Sequence, residues 1–204
     1  MAVMARYSTE HKAKTRKAIL EAADRVMKAR GVDAASVEAV MREAGLTVGG
    51  FYAHFPSKEA LAQESLLYGL EISVERMLAL LAPITDKAQW VRALIRHYLA
   101  QVHDPSLEHA CPMTLLLPDV ARGERSLRNA FAERTGALLD RIAANLPEIP
   151  GMSRRSAVLV VYTSCVGAVV LARAVAAPEA RQRIVGATET MLIRALSLDE
   201  PSND

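Results

Sequence analysis

Four side chains able to hold a phosphate oxygen lie within the twelve residues TVGGFYAHFPSK: Thr47, Tyr52, His54 and Lys58. Two hydroxyls, an imidazole and an ammonium make a set of hydrogen-bond donors with no nucleophile–base pairing among them. Between them stand Gly49 and Gly50. Each glycine costs roughly 1 kcal/mol relative to alanine inside a helix, so a pair of them does not serve local stability. Backbone without a Cβ lets something large approach closely. The first N–H groups of a helix beginning at Val48 would add anion-binding capacity to the same edge. This combination points to non-covalent recognition of a polyanion.

The donors need a scaffold, and the flanking sequence supplies one. Apolar residues at helical spacing (Ile19, Ala22, Ala23, Val26, Met27) predict a first helix from about His11 to Arg30, stopped by Gly31. Ser36 can cap a second helix over Val37–Ala44. Gly45 then permits a tight turn, and a third helix follows over Val48–His54, with Thr47 placed to cap it. Helix, three-residue turn, short helix is the helix-turn-helix plan. Three of the nine aromatic residues fall in positions 51–55. Phe51 and Phe55 are expected to dock the third helix inward, which leaves Tyr52 facing out. Pro56 ends that helix, Ser57 caps the next, and a long helix is expected from Lys58 to about Leu81.

The stretch AGLTVGGFYAHFPSKEAL resembles the DNA-binding signature of the TetR/AcrR family of bacterial transcription regulators. Ala44-Gly45, Phe51-Tyr52, Phe55, Lys58 and Leu61 fall in register, and the similarity extends over about residues 11–65. The resemblance implies that Ser36, Thr47, Tyr52, His54 and Lys58 contact the DNA backbone, while Val48, Gly49 and Tyr52 lie along base edges. With Gly50, these residues form the expected DNA-binding set. Two positions depart from the pattern: Glu38 stands where a basic base-reader is common, and Met41 replaces a usual alanine. Val48-Gly49-Gly50 leaves few polar side chains to read bases, so shape and an N-terminal arm (Arg6, Lys12, Lys14, Arg16) carry more of the expected recognition.

Charge distribution agrees with a polyanionic partner at the front only. Residues 1–58 hold ten Lys/Arg against six Asp/Glu, and residues 59–204 hold fifteen against seventeen. We therefore divide the chain into a DNA-binding domain (1–58) and a helical domain (59–204). Scarce strand formers and abundant Ala, Leu, Arg and Glu favour an all-α fold. Two cysteines make no disulfide framework, and no signal-peptide core follows Met1, so a cytoplasmic protein is expected. The uncharged run SAVLVVYTSCVGAVVLA sits at the lower length limit for a membrane span and is read as a buried bundle helix.

The rear domain carries a weaker signal. Segments 153–176 and 178–196 are too apolar to face water, and their small residues (Ser164, Gly167, Ala168, Gly186, Ala187) would let helices approach closely. Paired across a two-fold axis, they would make a four-helix homodimer interface. Trp90, Leu94, Tyr98, Met113, Leu116, Phe131, Tyr162 and Cys165 are candidate walls of a ligand cavity, although residues so spaced also make ordinary core. Charged groups are nearly absent from that set, so a small apolar ligand is expected. Cys111, before Pro112, could sense oxidants; an inert buried thiol is the preferred reading. His103, Asp104, Glu108 and His109 match no metal-ligand spacing, and neither metal nor cofactor is expected. Phosphate loops, nucleophile elbows and paired-carboxylate sites are lacking.

These observations favour a homodimeric, ligand-responsive repressor on a near-palindromic operator. Two alternatives stay open at this stage: a DNA-binding protein with no small-molecule inducer, and a helical enzyme whose front end is a docking module.

Overall fold

In the computed structural model, residues 2–104, 107 and 109–198 are described; Glu108 and the side chain of Arg6 lie outside the described residues. Eight α-helices follow one another: α1 (Ala2–Arg30), α2 (Val37–Glu43), α3 (Lys58–Leu81), α4 (Lys87–Ala100), α5 (Met113–Arg122), α6 (Arg125–Ala143), α7 (Arg154–Ala174) and α8 (Pro178–Ala195). Two short 3-10 helices, Val48–Ala53 and Gln101–His103, complete the order. No strand occurs among the described residues, only an isolated bridge between Ile149 and Met152.

The expected stops and caps are where the fold turns. Gly31 and Gly45 take φ of +81° and +70°, a backbone region in which a side chain would be strained. Ser36 Oγ accepts from Ala39 N at 3.1 Å to start α2, and Ser57 Oγ accepts from Ala60 N at 3.2 Å to start α3. One boundary differs from the sequence expectation. α1 begins at Ala2 rather than near His11, because nothing in STEHKAKTRK breaks a helix even though it lacks an apolar stripe.

The front domain packs α1 against α2 and against the first half of α3, with Ile19, Met27, Met41, Phe51, Phe55 and Leu61 almost fully buried. Lys28 donates to Asp24 Oδ2 at 2.6 Å within this junction, and burial there holds the Asp24 carboxyl above its ordinary pKa. α3 then runs on without a break into the rear domain, where it meets α4 and α6. α7 is the central helix of that domain, with α4, α5, α6 and α8 packed on it. By length and composition α7 could cross a membrane, but half of its most apolar window is buried against these neighbours.

Candidate nucleic-acid interface

The segment carrying the glycines is a six-residue 3-10 helix, Val48–Ala53, and not the α-helix expected over Val48–His54. Two glycines and the nearby Pro56 weaken an α-helical turn here. Thr47 is in the N-cap position with extended backbone, but its hydroxyl makes no capping bond. That hydroxyl is exposed and uncommitted.

Phe51 is the anchor. It is wholly buried, stacks on Phe55 at 5.9 Å between centroids, and meets the edge of Tyr52 at 5.1 Å. Because Phe51 points in, its neighbour points out: Tyr52 is 74% exposed and Val48 42% exposed. The glycines settle what their bare backbone is for within the chain. A Cβ at Gly49 would meet nothing within 4 Å, and one at Gly50 would meet only Met41 Cε at 3.9 Å. Neither glycine makes room for another helix. The space beside them is solvent, on the same edge as Thr47, Val48 and Tyr52.

Other expected contacts are partly engaged within the fold. Ser36 Oγ is the α2 cap, and its hydroxyl donates to the Glu38 carboxylate. Lys58 Nζ donates to the Asp33 carbonyl oxygen at 2.7 Å, bridging the start of α3 to the α1–α2 turn. His54 is half-buried, with Nδ1 out of water and unpartnered among the described residues. Burial, then the nearby charges of Lys12, Arg16 and His11, pull its pKa below 6.5, so at neutral pH it is a neutral donor. Arg16, assigned to an arm, is instead a pin. Its guanidinium lies 4.4 Å over the Phe55 ring and bonds Glu64 at 2.5 Å. Sequence spacing could not reveal that pairing, because Glu64 is 48 positions away.

The eight residues expected around a rear-domain ligand do not gather in one place. Tyr98 and Tyr162 border a cavity of about 240 Å³ between α3, α4 and α7, with Met77, Leu80, His97 and Gln101. Leu116 opens to a different cleft, while Trp90, Leu94, Met113, Phe131 and Cys165 border neither. Arg76 and His109 also reach the Tyr98 cavity, so its wall is less free of charge than the sequence suggested. The Tyr98 and Tyr162 rings meet edge to face at 5.2 Å, and burial pushes both hydroxyls well above pKa 10. The Tyr98 hydroxyl faces the Cys111 thiol without a hydrogen bond of good geometry. Cys111 itself is fully buried, its Sγ 4.0 Å from Tyr162 Oη. Burial raises Cys165 to about 12. Among the described residues no group of His, Cys, Asp and Glu could hold a metal ion.

A compact helix-turn-helix unit with an exposed, unencumbered glycine edge, set on a larger helical body, defines the class: a helix-turn-helix protein of the two-domain, all-α kind. Residues 19–64 match the family described as bacterial regulatory proteins, tetR family. Among curated sequences the chain is similar to the uncharacterised HTH-type transcriptional regulator YuxN of Bacillus subtilis, at 32% identity over 93 residues, 46% of this chain. It spans about a third (31%) of that relative's length. Solved structures with the same fold include E. coli NemR in its reduced form, at TM-score 0.75 and 19% identity, covering 93% of this chain and 99% of that one. FadR from Bacillus subtilis, in complex with stearoyl-CoA, aligns at TM-score 0.62 and 18% identity, covering 90% and 99%. The tetR-family match falls on the helix-turn-helix segment of the front domain, and the solved neighbours share the all-α fold over most of the chain. The matches are all to transcriptional regulators and lend the enzyme alternative no support.

Proposed function

We propose that the protein is a cytoplasmic, homodimeric repressor that leaves a near-palindromic operator when a small, mostly apolar molecule enters the rear domain. The observation that carries the DNA half of this reading is the open space beside Gly49 and Gly50. Backbone there can reach the floor of a major groove, with Thr47, Tyr52 and Lys58 on the flanking phosphates and Val48 against a thymine methyl. Two such units, one per subunit, would enter successive major grooves about 34–36 Å apart.

Support for the dimer comes from one stripe on each of the last two helices. Leu159, Val160, Gly167, Val170 and Leu171 share the exposed face of α7, and Gly186, Ala187 and Met191 that of α8. Leu171 is 55% and Met191 67% exposed, a costly arrangement for a lone subunit. Support for a ligand comes from the 240 Å³ cavity. It joins Met77 and Leu80 to tyrosine hydroxyls that burial keeps protonated, a setting for an apolar body bearing a carbonyl-type acceptor. Such a ligand moves the protein off DNA only by its differential affinity for the two conformers.

The test is selection of bound fragments from the organism's own DNA, followed by titration of metabolites and lipophilic compounds against the selected complex. Enrichment of a two-fold symmetric site is expected, with at least one compound releasing it. Failure to enrich any site sinks the DNA half, and a complex that no compound loosens sinks the ligand half.

A further inference from the structure

We propose that the cleft between the helix-turn-helix domain and the α5–α6 corner is a second small-molecule site, shaped for an apolar organic cation. It encloses about 530 Å³ and is separate from the Tyr98 cavity in both position and chemistry. One wall comes from the front domain: Val32 and Asp33 of the α1–α2 turn, with Glu59, Ala60 and Gln63 of the first turns of α3. The opposite wall is the end of α5 and the start of α6, from Leu116 to Leu127.

Its floor is apolar. Leu66, Leu116 and Val120 are nearly fully buried, and Leu127 packs beside them. The rim is acidic, with Asp33, Glu59, Asp119 and Glu124 facing one cation, Arg122. That guanidinium is already bound to Asp119 at 2.9 Å. The lining residues therefore carry a net charge of −3. Among the described residues, Asp33, Glu59 and Glu124 form no ion pair within 4 Å. Lys58 acts on Glu59 from beside it, and its ammonium is directed at the Asp33 carbonyl oxygen; counting it still leaves an acidic cleft.

Charge selects the occupant. An anion, nucleic acid included, would face three unpaired carboxylates. A neutral apolar molecule would strip water from them without compensation. A cation with a hydrophobic body satisfies both floor and rim, and the volume is that of a small-ligand site. Neither wall alone makes the cleft, so the occupant bridges the DNA-binding domain and the body.

Tetraphenylphosphonium and tetraphenylborate have the same shape and opposite charge, which makes them decisive probes of the full-length protein without DNA. Calorimetry should show the phosphonium binding once per chain and the borate not binding there. The double substitution Glu59→Gln with Glu124→Gln should weaken phosphonium binding roughly tenfold, and added salt should weaken it too. Ser126→Trp, which fills the cleft without touching its charge, should also remove binding, with circular dichroism confirming the fold. Leu80→Trp, which fills the Tyr98 cavity, should leave phosphonium binding unchanged. Equal affinity for both probes, indifference to the double substitution, or loss through Leu80→Trp would each overturn the proposal. No operator complex is involved, so the outcome is independent of the repressor reading.

Discussion

The front and rear domains use aromatic residues in opposite ways. In the front, Phe51 and Phe55 are spent on holding one short segment rigid, and Tyr52 projects outward from it. In the rear, Tyr98 and Tyr162 meet edge to face in the interior, and the fold leaves the Tyr98 hydroxyl without a hydrogen-bond partner. A fixed surface suits a fixed partner such as a duplex. A half-satisfied interior suits an exchangeable one. The same contrast separates the charges: the front commits Arg16 to Glu64 and Arg25 to Glu43, whereas the interdomain cleft collects carboxylates.

The comparison can be broken most forcefully at its anchor. Phe51→Ala should cost about 3–5 kcal/mol of folding stability, measured by urea unfolding, because it empties a fully buried site under the recognition segment. Gly49→Leu should do the reverse. With nothing within 4 Å, it leaves stability equal or slightly raised, yet it should weaken operator binding roughly 100-fold by filling space the duplex needs. Operator binding that tolerates leucine there would dismiss the groove-contact assignment.

Leu171→Arg in the rear should leave the helical content intact and convert the proposed dimer to monomers in sedimentation velocity. Unchanged mass would place the interface elsewhere. Lys58→Ala should lower operator affinity several-fold and reduce the slope of log K against log salt by about 0.9, the value of one phosphate contact. Loss of affinity with an unaltered slope would mean that Lys58 matters through the Asp33 carbonyl and not through DNA.

The smallest effect concerns pH. His54 has a folded pKa below the ordinary 6.5, so the stability it contributes is present above 6.5 and lost as pH falls through the lower folded value. Wild type should therefore lose more stability than His54→Gln between pH 7.5 and 5. Parallel curves would show that the imidazole is no more confined in the fold than outside it.

How much of this was legible in the sequence also divides at the domain boundary. Gly31, Gly45, Ser36 and Ser57 act locally, each through its own backbone angle or a neighbour three residues on, so their roles could be read directly. The inward position of Phe51 and the outward one of Tyr52 followed from adjacency. Arg16 could not be placed, because its partners Phe55 and Glu64 come close only after α1 and α3 pack. The 3-10 geometry of Val48–Ala53 was equally hidden, since hydrophobic spacing over six residues does not separate it from an α-helix. In the rear, periodicity located the helices but not the voids between them. Leu94 and Leu116 have the same spacing signature, yet only Leu116 borders an opening. Cavities arise from what neighbouring helices fail to fill, and no single segment encodes that.

α3 is 24 residues long and belongs to both domains. At 1.5 Å per residue it is a rod of about 36 Å. A rod that touches the Tyr98 cavity near one end and carries the cap of the DNA-binding domain at the other works like an oar in its lock. A swing of about 5° would carry the blade roughly 3 Å over that length. Groove spacing in a duplex is set to about that tolerance, so in the proposed dimer a modest change in how the interior is filled would move both blades out of register at once.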